Sequence, residues 1–149
     1  MSVRNPLRDW YRQCISLKGE PRALAAGFAL GIFVGVTPTI PFHTAIIVVL
    51  GTLFRQNITA AYLASWFISN PLTIPLLYLG EYEIGRRLLG LSPAWPTLEE
   101  YSLHTIAALG GEILLPLLTG GLLLAPLIAC PGYFVALRLF ARIRRGQEE

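Results

Sequence analysis

Residues 31–41 read GIFVGVTPTIP and residues 65–75 read SWFISNPLTIP. Each is an apolar run interrupted by prolines, and both close on Thr-Ile-Pro, 34 residues apart. Proline fixes φ and removes an amide donor, so Pro38, Pro41, Pro71 and Pro75 predict two helix breaks where the apolar pattern alone would give two straight helices.

The surroundings of the breaks are free of charge. Residues 23–54, 56–80 and 113–137 contain no Asp, Glu, Lys or Arg, and about 18 such apolar residues suffice to suggest a membrane span. With 54% hydrophobic and only 14% charged residues in 149, the chain reads as one integral membrane domain, and the uncharged runs exclude a soluble fold. The net charge of +3 comes from the two ends: Arg4, Arg8, Arg12, Lys18 and Arg22 at one, Arg138, Arg142, Arg144 and Arg145 at the other. Basic residues so placed mark cytoplasmic flanks, and no interleaved aromatic and basic surface suggests nucleic acid as a partner. Cys14 and Cys130 share no ligand spacing with each other or with His43 and His104, so no metal, cofactor or disulfide framework is expected. The first apolar run is too long for a signal-peptide core and should remain in the mature protein.

Length decides how the runs are used. As one helix, residues 23–54 would extend about 48 Å against a hydrocarbon core near 30 Å; halved at Pro38–Pro41, each arm is about 20 Å, short for a crossing. The arithmetic predicts a re-entrant-like broken hairpin over 22–54, with Arg22 and Arg55 both on the cytoplasmic side. Residues 56–87 repeat the situation and are expected to form a second broken hairpin, a pseudo-repeat of the first. Aligned on Thr-Ile-Pro, Gly27, Gly31 and Gly35 fall on Ala61, Ser65 and Ser69. Small residues at four-residue intervals let helix backbones approach in lipid, so the Gly face of one unit is expected to pack on the Ala/Ser face of the other.

The remaining chain frames these units. Asn5-Pro6 opens an amphipathic interfacial helix over 5–18, with Leu7, Trp10, Tyr11, Cys14 and Ile15 on its apolar side. Residues 88–96 form a connector. Thr97-Leu98-Glu99-Glu100 is a capping box for an amphipathic helix over 97–112, and 113–145 is a C-terminal transmembrane helix ending in cytoplasmic arginines. The fold expected is all-α and multi-pass, with both termini cytoplasmic.

Paired carboxylates, a nucleophile beside a base and a phosphate-binding loop are missing from the sequence, and Asp9 is the only aspartate; no enzymatic activity is expected. The breaks are better candidates for function, because unwound backbone at membrane depth needs cover and can bind ions or solutes. Thr37, Thr39, Ser69, Asn70 and Thr73 supply polar groups beside Pro38 and Pro71. These groups could equally satisfy backbone freed by the prolines, and Asn70 could cap the segment after it. His43, the one titratable side chain within 23–54, follows the first break and could exchange protons or simply donate to a loop carbonyl. Arg55 could anchor the interface or neutralise an anionic head group. Glu81 is expected at the water interface, and Glu83 is expected to pair with Arg87.

The sequence Gly31-Ile32-Phe33-Val34-Gly35-Val36-Thr37-Pro38, then His43-Thr44, then Ser69-Asn70-Pro71-Leu72-Thr73-Ile74-Pro75, resembles the bacterial membrane family called domain-of-unknown-function family 2062, over nearly the whole chain. The resemblance implies a small inner-membrane protein with the two motif loops as its signature, and it implies no particular activity. Pro41-Phe42 stands where the family would have a glycine-containing turn, which stiffens the loop. The functional expectation is binding or transport of a phosphorylated lipid or small solute at two facing loops. A non-transporting scaffold or assembly partner of a larger complex is the alternative. Membrane lipids are the expected partners, and a homo-oligomer would help cover the polar loops of so small a bundle.

Overall fold

Prolines and caps set the helix boundaries. A computed structural model describes residues 8, 9, 12, 13, 16–39, 42–92 and 103–148, and among these every regular element is a helix. Helix α1, Pro21–Val36, starts with proline in its first turn, where the missing N–H costs nothing. It stops before Pro38, which has no N–H to offer the Val34 carbonyl four residues back. Helix α2, His43–Leu53, ends at a turn in which Arg55 takes φ +53°, a left-handed position usually filled by glycine. Helix α3, Ile58–Ile68, is capped by Asn57, whose side-chain oxygen accepts the Ala60 amide at 2.8 Å. Helix α4, Ile74–Leu88, follows the second break, and helix α5, Leu103–Glu148, completes the chain.

Contacts between small residues fix the directions of these helices. Gly27 meets Asn57, Gly31 meets Ala61 and Gly35 meets Ser65, a constant offset that makes α1 and α3 parallel. A Cβ built on Gly31 would overlap the Ala61 carbonyl, so the backbones touch where only glycine permits it. On its other side α1 runs antiparallel to α5: Phe28 stacks edge-on against Phe140 at 6.2 Å, Ile32 lies on Gly132, and Val36 shares a cluster with Ala125. Helix α4 is also antiparallel to α5, with Gly85 on the Pro116 backbone and Gly120 on that of Glu81. Helix α2 folds back beside α1 and α3, placing Ile47 against Val34 and Ala61 and Gly51 against Ile58.

Three expectations need correction. First, the second unit is not a hairpin. Because α3 and α4 both run opposite to α5, α4 continues in the direction of α3 and packs on α5 without returning along α3. The reason lies in the two breaks. Six residues separate α1 from α2, whereas after Ser69 the Ile74 amide already bonds the Asn70 carbonyl at 3.0 Å and the Leu77 amide bonds that of Thr73 at 2.9 Å, so helical bonding resumes before the chain can reverse. The two units therefore match in their first arms and diverge in their second. Second, no helix boundary falls at residues 112 and 113, since α5 is one continuous helix of 46 residues containing Pro116, Pro126 and Pro131. Gly110 and Gly111 weaken that stretch by only about 1 kcal/mol each. Third, Glu81 is fully buried and not at the water interface.

Residues 8, 9, 12, 13 and 16 are helical; Trp10, Tyr11, Cys14 and Ile15 of the expected 5–18 helix, the capping box at 97–100, and Ile40 and Pro41 lie outside the described residues. The segment Gly110–Gly146 of α5 is long and apolar enough to cross a membrane. Phe42, Leu53, Trp66, Leu72, Leu76 and Leu122 are each more than half exposed.

Candidate functional site: the junction of two helix breaks

Parallel packing of α1 and α3 brings the two breaks to the same level. The Ser69 hydroxyl, at the end of α3, donates to the Gly35 carbonyl, near the end of α1, at 2.6 Å. That bond ties the breaks together.

Around it the polar side chains sort into two groups. In the first break the Thr37 hydroxyl donates back to the Phe33 carbonyl at 2.6 Å, and the Thr39 amide and hydroxyl donate to the Thr37 carbonyl at 2.8 and 3.4 Å. His43 Nε2 also lies 3.0 Å from the Thr37 carbonyl. A carbonyl only accepts, so Nε2 carries a proton and donates it to this bond. In the second break Asn70 is used locally: its Oδ1 accepts the Leu72 and Thr73 amides at 3.0 and 3.1 Å, and its Nδ2 donates to the Phe67 carbonyl at 2.8 Å. With Pro71 next, Asn70 caps the turn over residues 71–73 in the manner of a helix N-cap, and that turn leads into α4, whose first residue is Ile74. The Thr73 hydroxyl donates to the Ile68 carbonyl.

Next to that bond, between the first turns of α2 and the last turns of α3, lies a cavity of about 130 Å³, lined by His43, Thr44, Ile47, Tyr62, Ser65, Trp66 and Ser69. Of the candidate residues, His43 and Ser69 face it, and Thr37 reaches it only through the bond of its carbonyl to His43. Pro38 is buried behind that loop, Pro71 is exposed, and Thr39, Asn70 and Thr73 complete the backbone turns. Arg55 is not brought to the site, because it closes the far end of α2, about 16 Å along the helix axis. Of the packing residues, Gly31 and Gly35 lie on Ala61 and Ser65, one turn out of the alignment based on Thr-Ile-Pro, and Gly27 lies on Asn57.

Ser65 and Tyr62 join the cavity although the sequence did not mark them as ligand residues. Their signal was available: Ser65 and Ser69 share one helix face, and Tyr62 lies one turn before Ser65. Glu81 was missed more completely. It stands four residues before Gly85 on α4, hence on the face that packs against α5, and neither of its oxygens has a hydrogen-bond partner among the described residues.

The match that decides relationship covers residues 4–149, by the profile of a family described as an uncharacterized protein conserved in bacteria (DUF2062). The chain belongs to that family. Both breaks of this DUF2062 chain and every helix described above fall within the matched span, so the site belongs to the family domain and not to an appended segment. No curated protein and no solved structure matches the chain.

Proposed function

We propose that this DUF2062 protein is a multi-pass inner-membrane protein that binds a small solute at the junction of its two breaks and moves it across the membrane. The observation that carries this reading is the cavity itself. A histidine and two serines line a space of about 130 Å³ where two interrupted helices meet, and polar groups at membrane depth are functional candidates.

Depth supports the reading. Ala60 shares a cluster with Ala136, and Gly85 lies on Pro116, so α3 and α4 together climb past about 20 residues of α5, or about 30 Å. That equals the hydrocarbon thickness. Val36 is level with Ala125, which puts the breaks near mid-depth. In this reading α1 and α2 form a re-entrant hairpin, α3 and α4 one broken crossing, and α5 the return. Lys18, Arg22, Arg55 and the arginines after residue 137 gather at one end of the bundle, against Arg86 and Arg87 at the other, and this asymmetry favours cytoplasmic termini.

The size of the cavity and the remoteness of Arg55 favour a small neutral or weakly charged solute over a phosphorylated lipid, whose head group would need a cation beside it. Flux into proteoliposomes, measured across a panel of small solutes and phosphorylated lipids, tests the reading. His43→Ala and Ser69→Ala should each reduce the flux of the transported compound at least about tenfold, equivalent to about 1.4 kcal/mol, while Arg55→Ala leaves it unchanged. No flux of any compound in the wild type, together with loss of cellular function on changing Trp10 or Tyr11, would favour the scaffold alternative.

A further inference from the structure

The fold encloses one carboxyl for which it provides no bond. Glu81 is 0% exposed, and neither carboxyl oxygen has a hydrogen-bond partner among the described residues. Its position is set from three sides. The Glu81 backbone is pressed on Gly120, and a Cβ built on Gly121 would stand 3.3 Å from Oε2 and 2.6 Å from Cδ of Pro38. The carboxyl therefore ends where α4, α5 and the first break meet, beside Gly121 and the Pro38 ring.

The charges facing it are few. From α5 come two glycines, and the nearest ionisable side chains along that helix among the described residues are Glu112 and Cys130. From the first break comes the Pro38 ring. On α4 itself Tyr78 stands one turn earlier, and Glu83 is engaged with Arg86 and Arg87 at 2.7 and 2.6 Å. An ionised carboxylate in such a place, without a bond or a counter-charge, costs far more than the acid form. A metal ion would need several oxygen ligands at once, and the wall opposite Glu81 is a proline ring and two glycines.

We propose that Glu81 is a proton-binding site, closed by Pro38 seated on Gly121, and that its proton exchanges with solution when the first break shifts. The site is separate from the solute cavity, but the Thr37 carbonyl bonds His43 of that cavity while Pro38 covers Glu81, so movement of residues 37–39 touches both. The inference uses the solute-carrier reading only for the purpose of the proton; the binding itself stands without a solute.

Infrared spectroscopy of the purified full chain in liposomes, with no solute added, tests it. The wild type should show the carbonyl stretch of a protonated carboxyl under mildly acidic conditions. That band should shift in heavy water, fade reversibly under mildly alkaline conditions, vanish in Glu81→Gln and persist in Glu83→Gln and Glu112→Gln. Glu81→Asp, which should move the band without removing it, serves if the Gln variant does not fold. Gly121→Ala, which pushes on Pro38, should speed the shift in heavy water. A wild type with no band attributable to Glu81 overturns the proposal, as does a band that ignores both pH and heavy water, or one abolished by sodium chloride at constant pH. Absence of solute flux would leave these results untouched.

Discussion

Contacts of single residues explain why helix α1 can sit at the centre of the bundle. Gly31 has no room for a methyl group against the Ala61 carbonyl, whereas a Cβ on Gly80 meets nothing within 4 Å. Gly31→Ala should therefore destabilise the detergent-solubilised protein by about 1–3 kcal/mol, while Gly80→Ala should be neutral or slightly stabilising through helix propensity; thermal melts of the two variants compare them directly. The small-residue faces were legible because small residues at four-residue intervals mark where helix backbones can approach closely. Their register was not, because the Thr-Ile-Pro tripeptides align the breaks and not the backbones, which settle one turn away. Glu81 escaped for a different reason. A charged residue at the edge of an apolar run reads as interfacial, and only the antiparallel docking of α4 on Gly120 and Gly121 buries it.

Elements differ in how they are interrupted. The first break reverses the chain, and the second only redirects it, because Asn70 and Pro71 restart helical bonding within one turn. Both interruptions could be read from the prolines, but the direction of each exit depends on hydrogen bonds that composition does not specify. Asn70→Ala should cost about 1 kcal/mol of stability, the usual value of a lost N-cap, and Asn70→Ser or Asn70→Asp should retain most of it. Solute flux per folded molecule should hardly change in these variants, since the Asn70 side chain is consumed in its own turn. Ser69→Ala should differ: losing the bond to Gly35 costs about 1 kcal/mol and also loosens the junction, so flux should fall with stability. Chemical denaturation and flux measured on the same preparations separate the two cases.

Across the whole molecule α1 and α2 fold back on each other, α3 and α4 run on in one direction, and the long α5 lies alongside α1 and α4. The all-helical class and the long apolar C-terminal helix followed from the uncharged runs. The through-going path of α3 and α4 did not, because Arg55 and the Arg86-Arg87 pair look alike as flanking charges although the packing sends them to opposite ends. Side-specific labelling decides this most directly. In a background lacking Cys14 and Cys130, Gln56→Cys lies in the turn between α2 and α3, and Ser92→Cys lies just beyond α4. With a membrane-impermeant maleimide, Gln56→Cys should react only from the cytoplasmic side and Ser92→Cys only from the opposite side. Labelling of both from the same side would contradict that path.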